Sequence, residues 1–395
     1  MPTFKIPGFK FAGVACGIKK SKKKDLALIV SDRPAAAAAL FTTNRVKAAP
    51  VIVGMRHIKK GKLQAVVVNS GNANACTGPR GRRDAEAMCR EAGTALKIAP
   101  ELILPSSTGV IGVPLPIEKV RLGVRRAASS LSRDGFMQAA EAMLTTDRFV
   151  KTASGHCVVD GKRVHVAGMV KGAGMIAPNM ATMLAYVLTD AAVELTCLRS
   201  MLRAVAKRTF NCVTVDGDMS TNDTVLLLAN GMAGNHQIRQ GSRDSRRLER
   251  VVCDVMRKLA IKLVEDGEGA TKIVEIRVEG AASITAAQRV AFSVARSQLV
   301  KTAFFGEDPN FGRILAAIGY AGVPLDPDKI DVSFNGISVA KNGVGITANE
   351  KKAARAMRRP SFRVNIRLHQ GKRSASVWTS DLTHEYVRIN SAYRT

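Results

Sequence analysis

The chain has 395 residues, 46% of them apolar and 23% charged, a balance that excludes disordered and fibrous proteins and fits an ordinary soluble globular one. Roughly 100 to 200 residues per domain leaves room for two or three domains, one larger unit with a smaller partner being the simplest arrangement. Sixty Lys and Arg stand against 32 Asp and Glu, a formal net charge of +28, which would draw polyanions to the surface.

The basic residues nevertheless fall into short, separate clusters: Lys19, Lys20 and Lys22 to Lys24; Arg80, Arg82 and Arg83; Arg243, Arg246, Arg247 and Arg250; and Lys351, Lys352, Arg355, Arg358 and Arg359. None adjoins a stacking-aromatic motif, so a solvated surface is expected and no specific nucleic-acid partner. The first twenty residues set Lys5 and Lys10 among apolar ones without a charged segment followed by a clean apolar run, and are read as mature sequence of a cytoplasmic protein. Pro34 to Phe41 (PAAAAALF) is far short of the roughly 18 apolar residues that span a bilayer, so no membrane association is expected. The seven cysteines are odd in number and never in a CxxC pair, which suggests small buried hydrophobes and no metal site.

In chain order, Leu26–Val30 and Ala65–Asn69 read as strands, and Val158–Val166 as a hairpin turning on Asp160-Gly161. A strand-like run follows residue 182. The clearest helix covers Ser245 to Val264, with apolar residues at 248, 251, 252, 255, 256, 259 and 263, and it stops at Asp266-Gly267-Glu268-Gly269. A second helix is expected over Thr285–Ala303, then a hairpin over Asp331–Val339 turning on Asn335-Gly336. These elements predict a mixed α and β fold with a domain boundary near 280, giving units 1–280 and 281–395. The stretch Asp216, Asp218, Ser220, Asn222 and Asp223 resembles a cation loop only superficially, since the spacing and closing glutamate of an EF-hand are missing. It is read as structural, with Asn222 capping a helix after a strand over Val213–Val215 and no metal bound.

Residues 171 to 190, KGAGMIAPNMATMLAYVLTD, lead a Gly-rich turn and Pro178 into Thr182 at the start of an apolar run. Spacing alone reads this as a tight turn followed by a strand residue. The chemical alternative is specific. If the Ala181–Thr182 bond is broken, the new α-amine lies beside the threonine hydroxyl and serves as its general base. Such an amine titrates near about 7.7 to 8.0, close to neutrality, so the six histidines, which form no cluster, are not needed.

The segment KGAGMIAPNMATML resembles the cleavage-site signature of the ornithine acetyltransferase (glutamate N-acetyltransferase) family of arginine biosynthesis. The resemblance runs through AGVACGIKK near the start, FTTNRVKAAPV at 41–51, VVVNSGNANACTG at 66–78, STGVIGVPLP at 107–116 and LTTDRFVK at 144–151. It continues through TVDGDMSTNDT at 214–224, EDGEGATK at 265–272, GEDPNFGRI at 306–314 and the terminal NSAYRT.

The resemblance implies self-cleavage between Ala181 and Thr182 into an α chain 1–181 and a β chain 182–395, assembled as a dimer of heterodimers or larger. It implies a layered αββα domain, like the N-terminal-nucleophile hydrolases but differently connected, plus a smaller C-terminal α/β domain whose tail returns to the active site. Thr182 would carry the acetyl group from N-acetylornithine to glutamate by a ping-pong route, with Thr108 and Gly109 as the oxyanion hole. Thr145, Lys171, Thr182, Glu268, Asn390 and Thr395 would bind substrate, Lys171 neutralising a carboxylate and Glu268 holding an ammonium. No cofactor is implied, and acetyl-CoA stays open as a further donor. Residue types alone allow blander roles: a turn at Thr108, surface charges at Lys171 and Glu268, and a disordered tail at Asn390 and Thr395. Two competing functions remain: a threonine-nucleophile amidase or aminopeptidase, and a polyanion-binding protein on an inactive scaffold.

Overall fold

The computed structural model describes residues 4–177 and 183–392. Thr182, its neighbour Ala181 and the terminal Thr395 lie outside the described residues. The chain divides into two compact units, the first made of residues up to 211 and 218–263, the second of 212–217 and 264–394.

Strands β1 (Phe9–Val14), β2 (Leu26–Phe41), β3 (Lys62–Asn72) and β4 (Ile103–Val110) alternate with helices α1 (Ala49–His57), α2 (Gly78–Leu96) and α3 (Ile117–Ser129) in the first unit. After α4 (Phe136–Ala142) come β5 (Lys151–Val159), β6 (Lys162–Lys171), β7 (Leu184–Thr189), α5 (Leu195–Ala206), β8 (Thr224–Ala229) and α6 (Arg243–Glu265). The strands form one hydrogen-bonded array, β4-β3-β2-β8-β7-β6-β5, with β1 also on β2.

The array works as two sheets because β2 belongs to both. Residues 26–31 of β2 pair with β1, and residues 26–30 pair with β3. Its second half, 36–41, pairs with β8, and the register shifts between Val30 and Ala35, across Pro34, which cannot donate to a ladder. Alternation of side chains then sorts the core. Ala27 and Ile29 of β2 and Val66 and Val68 of β3 share one apolar cluster with Met169, Leu184, Tyr186 and Leu228 of the other half, so the two halves lie face to face. Leu26, Leu28, Ala65 and Val67 point the other way, onto Met88 and Ala92 of α2 and Val120 and Val124 of α3. On the far side, α6 presses so closely that a Cβ on Gly168 would stand 2.8 Å from Leu259. Helix, sheet, sheet, helix is the resulting order of layers, which matches the expected αββα class. The alanine run 35–39, a composition that favours helix, is strand here, its small side chains packed in the sheet interior and under α5.

The second unit is a two-layer α/β fold. Its sheet, in the order β12-β11-β10-β13-β9-β14, comprises β9 (Ile273–Ala281), β10 (Asp331–Phe334), β11 (Ile337–Lys341), β12 (Val344–Gly345), β13 (Ser361–Arg367) and β14 (Arg373–Ser380). Helices α7 (Ile284–Arg296), α8 (Gln298–Phe305), α9 (Phe311–Gly319) and α10 (Glu350–Met357) accompany it, and α11 (His384–Ala392) ends the described chain. Ile276, Val364 and Phe334 of the sheet pack on Val290 of α7, Phe304 of α8, Ile318 of α9 and Met357 of α10, while Arg277–Glu279 and Arg363–Glu275 pairs line the other face.

Several local expectations meet the structure. Both hairpins turn where anticipated, Asp160-Gly161 and Asn335-Gly336 all having positive φ. The long helix is α6, its face of Leu248, Val252, Val255, Met256, Leu259 and Leu263 buried. Three differences have physical causes. The helix expected over 285–303 breaks at Ser297, whose extended backbone ends α7 and whose hydroxyl caps Val300 of α8. The division falls after Leu263 and not near 280, because β9 is a middle strand of the second sheet, between β13 and β14. Asn222 caps no helix, since β8 follows it, and Val213–Val215 contributes a single bridge, Val213 to Trp378.

None of the seven cysteines forms a disulfide, and four are buried, but Cys76 is exposed. Among the described residues no helix is long and apolar enough to cross a membrane.

Ile29 is fully buried between the two half-sheets. Ile29→Ala should cost about 2 to 5 kcal/mol by denaturant unfolding; a loss near zero would mean the half-sheets are not packed on each other there.

Candidate active site

The site in the first unit forms where strand ends come into register. Lys171, the last residue of β6, pairs with Leu184 of β7, and Leu184 pairs with Thr224 of β8. Thr224 pairs in turn with Phe41, the end of β2. The end of β6 and Met183, beside the start of β8, therefore flank the segment in which the sequence signature lies. Met183 is held from both sides: its N–H donates to Asp223 Oδ1 at 3.0 Å, and its carbonyl accepts from Thr224 N at 3.0 Å.

Lys171 is buried. Its Nζ donates to Thr145 Oγ1 at 2.8 Å and lies 3.7 Å from Asp147 Oδ2, so the structure brings together two of the six expected binding residues. Asp147, fully buried, also accepts from Lys151 Nζ at 2.6 Å, Gly172 N at 2.6 Å and Thr145 N at 2.8 Å. Burial alone would raise its pKa, but the Lys171 and Lys151 ammoniums and these donors hold it well below the usual carboxylate range. Asp147 thus fixes both the turn after β6 and the Thr145–Lys171 pair. Sequence reading named Thr145 and Lys171 and passed over Asp147, though it stands inside LTTDRFVK, two residues after Thr145.

Thr108 and Gly109 lie near the end of β4, opposite the end of β3, where Gly71 pairs with Gly109. Gly109 has φ +129°, and a Cβ there would stand 2.4 Å from the carbonyl carbon of Gly71, so no other residue fits. Buried amides brace this corner. Asn222 Nδ2 donates to Ser107 O at 2.8 Å and to Ala73 O at 2.7 Å; Ser107 Oγ donates to Asn69 Oδ1 at 2.5 Å. Three of the motif blocks, at 66–78, 107–116 and 214–224, therefore meet here.

A further loop lies against Gly71, where a Cβ would stand 3.0 Å from Ile18 and 3.2 Å from Lys19. The Asp25 carboxylate shapes this loop by accepting from the amides of Cys16, Ile18 and Lys19 at 2.6, 2.7 and 2.9 Å. Burial pulls the Lys19 pKa down to about 8, Asp25 opposing and the nearby Lys171 charge adding to the fall. Lys19 therefore shares the electrostatic environment of Lys171, next to the strand that carries Gly71.

Glu268 and Asn390 belong to the second unit and form a separate pair: Asn390 Nδ2 donates to Glu268 Oε2 at 2.8 Å. Asn390 lies in a helix, α11, which runs through Ala392, the last of the described residues. Thr383 Oγ1 donates to Gly269 O at 2.8 Å, and a Cβ on Gly269 would meet Tyr386 N at 2.5 Å, so α11 docks on the Gly-flanked loop that carries Glu268. Among the described residues no group of three or more His, Cys, Asp or Glu has the placement to hold a metal ion.

Because Asp147 is depressed relative to an unfolded aspartate near about 3.9, the stability it contributes is full above that value and lost as pH falls through its folded value. The stability gap between wild type and Asp147→Asn should accordingly be constant from about pH 5 to 8 and shrink below about pH 4. Chemical denaturation across that range measures it, and a gap that widens towards acid would contradict the assigned ionisation.

Residues 10–395 match the model of the ArgJ family. The arginine biosynthesis bifunctional protein ArgJ of Symbiobacterium thermophilum is 50% identical over 390 residues, covering 98% of this chain and 97% of that protein. The ArgJ of Geobacter sulfurreducens is 47% identical over 391 residues, covering 99% and 100%. A crystal structure of the arginine biosynthesis bifunctional protein ArgJ from Bacillus halodurans superposes with a TM-score of 0.51 at 37% identity, covering 98% of that chain and 53% of this one. With the matched region spanning nearly its whole length, this chain belongs to the ArgJ family.

Proposed function

We propose that this enzyme of arginine biosynthesis cuts itself between Ala181 and Thr182 and then transfers acetyl from N-acetylornithine to glutamate. The observation that carries the reading is the buried Lys171 ammonium, hydrogen-bonded to Thr145 and charge-balanced by Asp147, at the end of the strand that leads into the cleavage segment. A buried cation at that place suits the carboxylate of an amino-acid substrate.

In maturation the Thr182 hydroxyl attacks the Ala181 carbonyl, the C–N bond breaks, and the nitrogen leaves as the α-amine of Thr182 while an ester forms. Water hydrolyses the ester, which frees the hydroxyl and leaves chains 1–181 and 182–395. The second of these is 214 of 395 residues, 54%, close to the 53% of this chain that the Bacillus halodurans polypeptide spans.

In turnover the α-amine takes the hydroxyl proton as Thr182 attacks the acetyl carbonyl, and Thr108 and Gly109 take the oxyanion. One such donor is worth about 2.7 to 4 kcal/mol of transition-state stabilisation. The proton passes to the leaving amine of ornithine, and the amine of glutamate then attacks the acetyl-threonine ester. Lys171 is assigned to a carboxylate of each amino acid and Glu268 to the free side-chain ammonium of N-acetylornithine, with Thr145, Asn390 and Thr395 as further substrate contacts. The scheme uses no cofactor, acetyl-CoA stays open as a further donor that would load the same threonine, and the two chains would assemble as a dimer of heterodimers or larger in the cytoplasm.

Intact mass under denaturing conditions should give two fragments matching 1–181 and 182–395 for the wild type and one whole chain for Thr182→Ala. A wild type that stays whole removes the free amine and with it the mechanism. Initial rates with both amino acids varied should give parallel lines; intersecting lines would exclude a free acetyl-enzyme. Release of ornithine that glutamate does not accelerate would point to the amidase reading.

A further inference from the structure

Two buried charged groups of the second unit have no part in the proposed mechanism: Asp381, which follows β14, and Lys301 in α8. The Asp381 carboxylate gathers the chain that leaves the Glu268 loop. Its Oδ1 accepts from Thr271 N at 2.9 Å and from Lys272 N at 3.0 Å, and its Oδ2 accepts from Thr271 Oγ1. Lys301 secures the other side of the same contact. Its Nζ donates to Thr379 Oγ1 at 3.2 Å, to Ser380 Oγ at 3.1 Å and to Ser380 O, and its carbonyl accepts from Leu382 N at 3.2 Å. Burial pulls the Lys301 pKa down to about 8, with Asp381 and Asp216 opposing the fall, so near neutral pH the ammonium persists as a countercharge to Asp381.

These bonds converge on one loop. Glu268 stands between Gly267 and Gly269, the latter at φ +70°, so the loop has little side chain of its own to hold it. It is held from outside by the segment that follows β14: Asp381 at Thr271 and Lys272, Thr383 at Gly269 O, and Asn390 at the Glu268 carboxylate itself. We propose that Asp381 is the positioning residue of Glu268: it ties the exit of the loop to the segment that leads into α11, and so sets the Glu268 carboxylate against Asn390 in readiness for a substrate ammonium. The inference rests on the assignment of Glu268 to the side-chain ammonium of N-acetylornithine. A carboxylate whose direction is fixed before the ligand arrives binds a cation without the cost of ordering a loop at that moment. Asp381 makes no bond to Glu268 and acts through the backbone between them.

Initial rates with both amino acids varied give kcat/KM for N-acetylornithine and for glutamate separately, and in a ping-pong reaction each constant belongs to its own half-reaction. Glu268→Gln should lower the N-acetylornithine constant and spare the glutamate constant; a Glu268→Gln protein that spares both overturns the assignment on which the inference rests. Asp381→Leu should reproduce the pattern, losing about 10- to 100-fold for N-acetylornithine, the worth of one charge-assisted hydrogen bond, and staying within about threefold for glutamate. Asp381→Asn keeps an oxygen for the two amides and offers its own amide to the Thr271 hydroxyl, so both constants should stay within about threefold of wild type. A role in folding alone would lower the two constants by one common factor, the fraction of competent molecules, and that result in Asp381→Leu overturns the inference. So does an Asp381→Leu protein with both constants intact, or a folded Asp381→Asn that loses as much as Asp381→Leu. If Asp381→Leu fails to fold, Thr271→Val decides, since it removes only the hydroxyl donor at an exposed position: a loss of about threefold confined to N-acetylornithine supports the inference, and an equal loss in both constants, or none, overturns it.

Discussion

Strand β2 is the constraint on which the first unit depends. A single run of 16 residues pairs with β3 at one end and β8 at the other, with Pro34 in the shift between them. Its two ends therefore lie in different layers, and each is followed or preceded by a residue that builds the site. Asp25, just before β2, gathers the amides of 16, 18 and 19 and sets that loop against Gly71, the partner of Gly109. Thr42, just after it, bonds to Ser220 and Asp223 beside Met183. The length and bend of one strand thus fix the spacing between the Thr108–Gly109 corner and Met183.

Two buried carboxyls in this region are driven in opposite directions. Asp147 has two ammoniums and several N–H donors and stays ionised; Asp223 accepts from one amide, has a more distant ammonium, and is pushed towards neutrality by burial. Both are buried, so burial does not separate them; the number of cations and donors in contact does. Lys171 lies within the field of both. The region thus combines one ionised carboxylate set between two ammoniums with one carboxyl pushed towards neutrality.

Parts of the molecule were legible in local sequence. The Asp160-Gly161 and Asn335-Gly336 hairpins, the apolar face of α6 and the strand after residue 182 all follow from chemistry within a few residues. The break at Ser297 escaped periodicity because the apolar spacing runs on across it. The alanine run in β2 escaped composition because pairing with β3 at 35 and 36 and with β8 from 36 onward outweighs a helix preference of roughly a few tenths of a kcal/mol per residue.

By itself the sequence determined the mixed α and β class, the family signature at 171–184, and which residue types could carry acyl transfer. Only the tertiary structure decided how those residues are held. Asn222 reaches Ala73 across 149 positions, Lys171 reaches Thr145 across 26, and Asn390 reaches Glu268 across 122. The physical reason is that a buried polar group must find its partner wherever the fold brings one. No local pattern encodes that partner, so Asp147, Asn222 and Asp223 read as ordinary polar residues until the strands that surround them are in place.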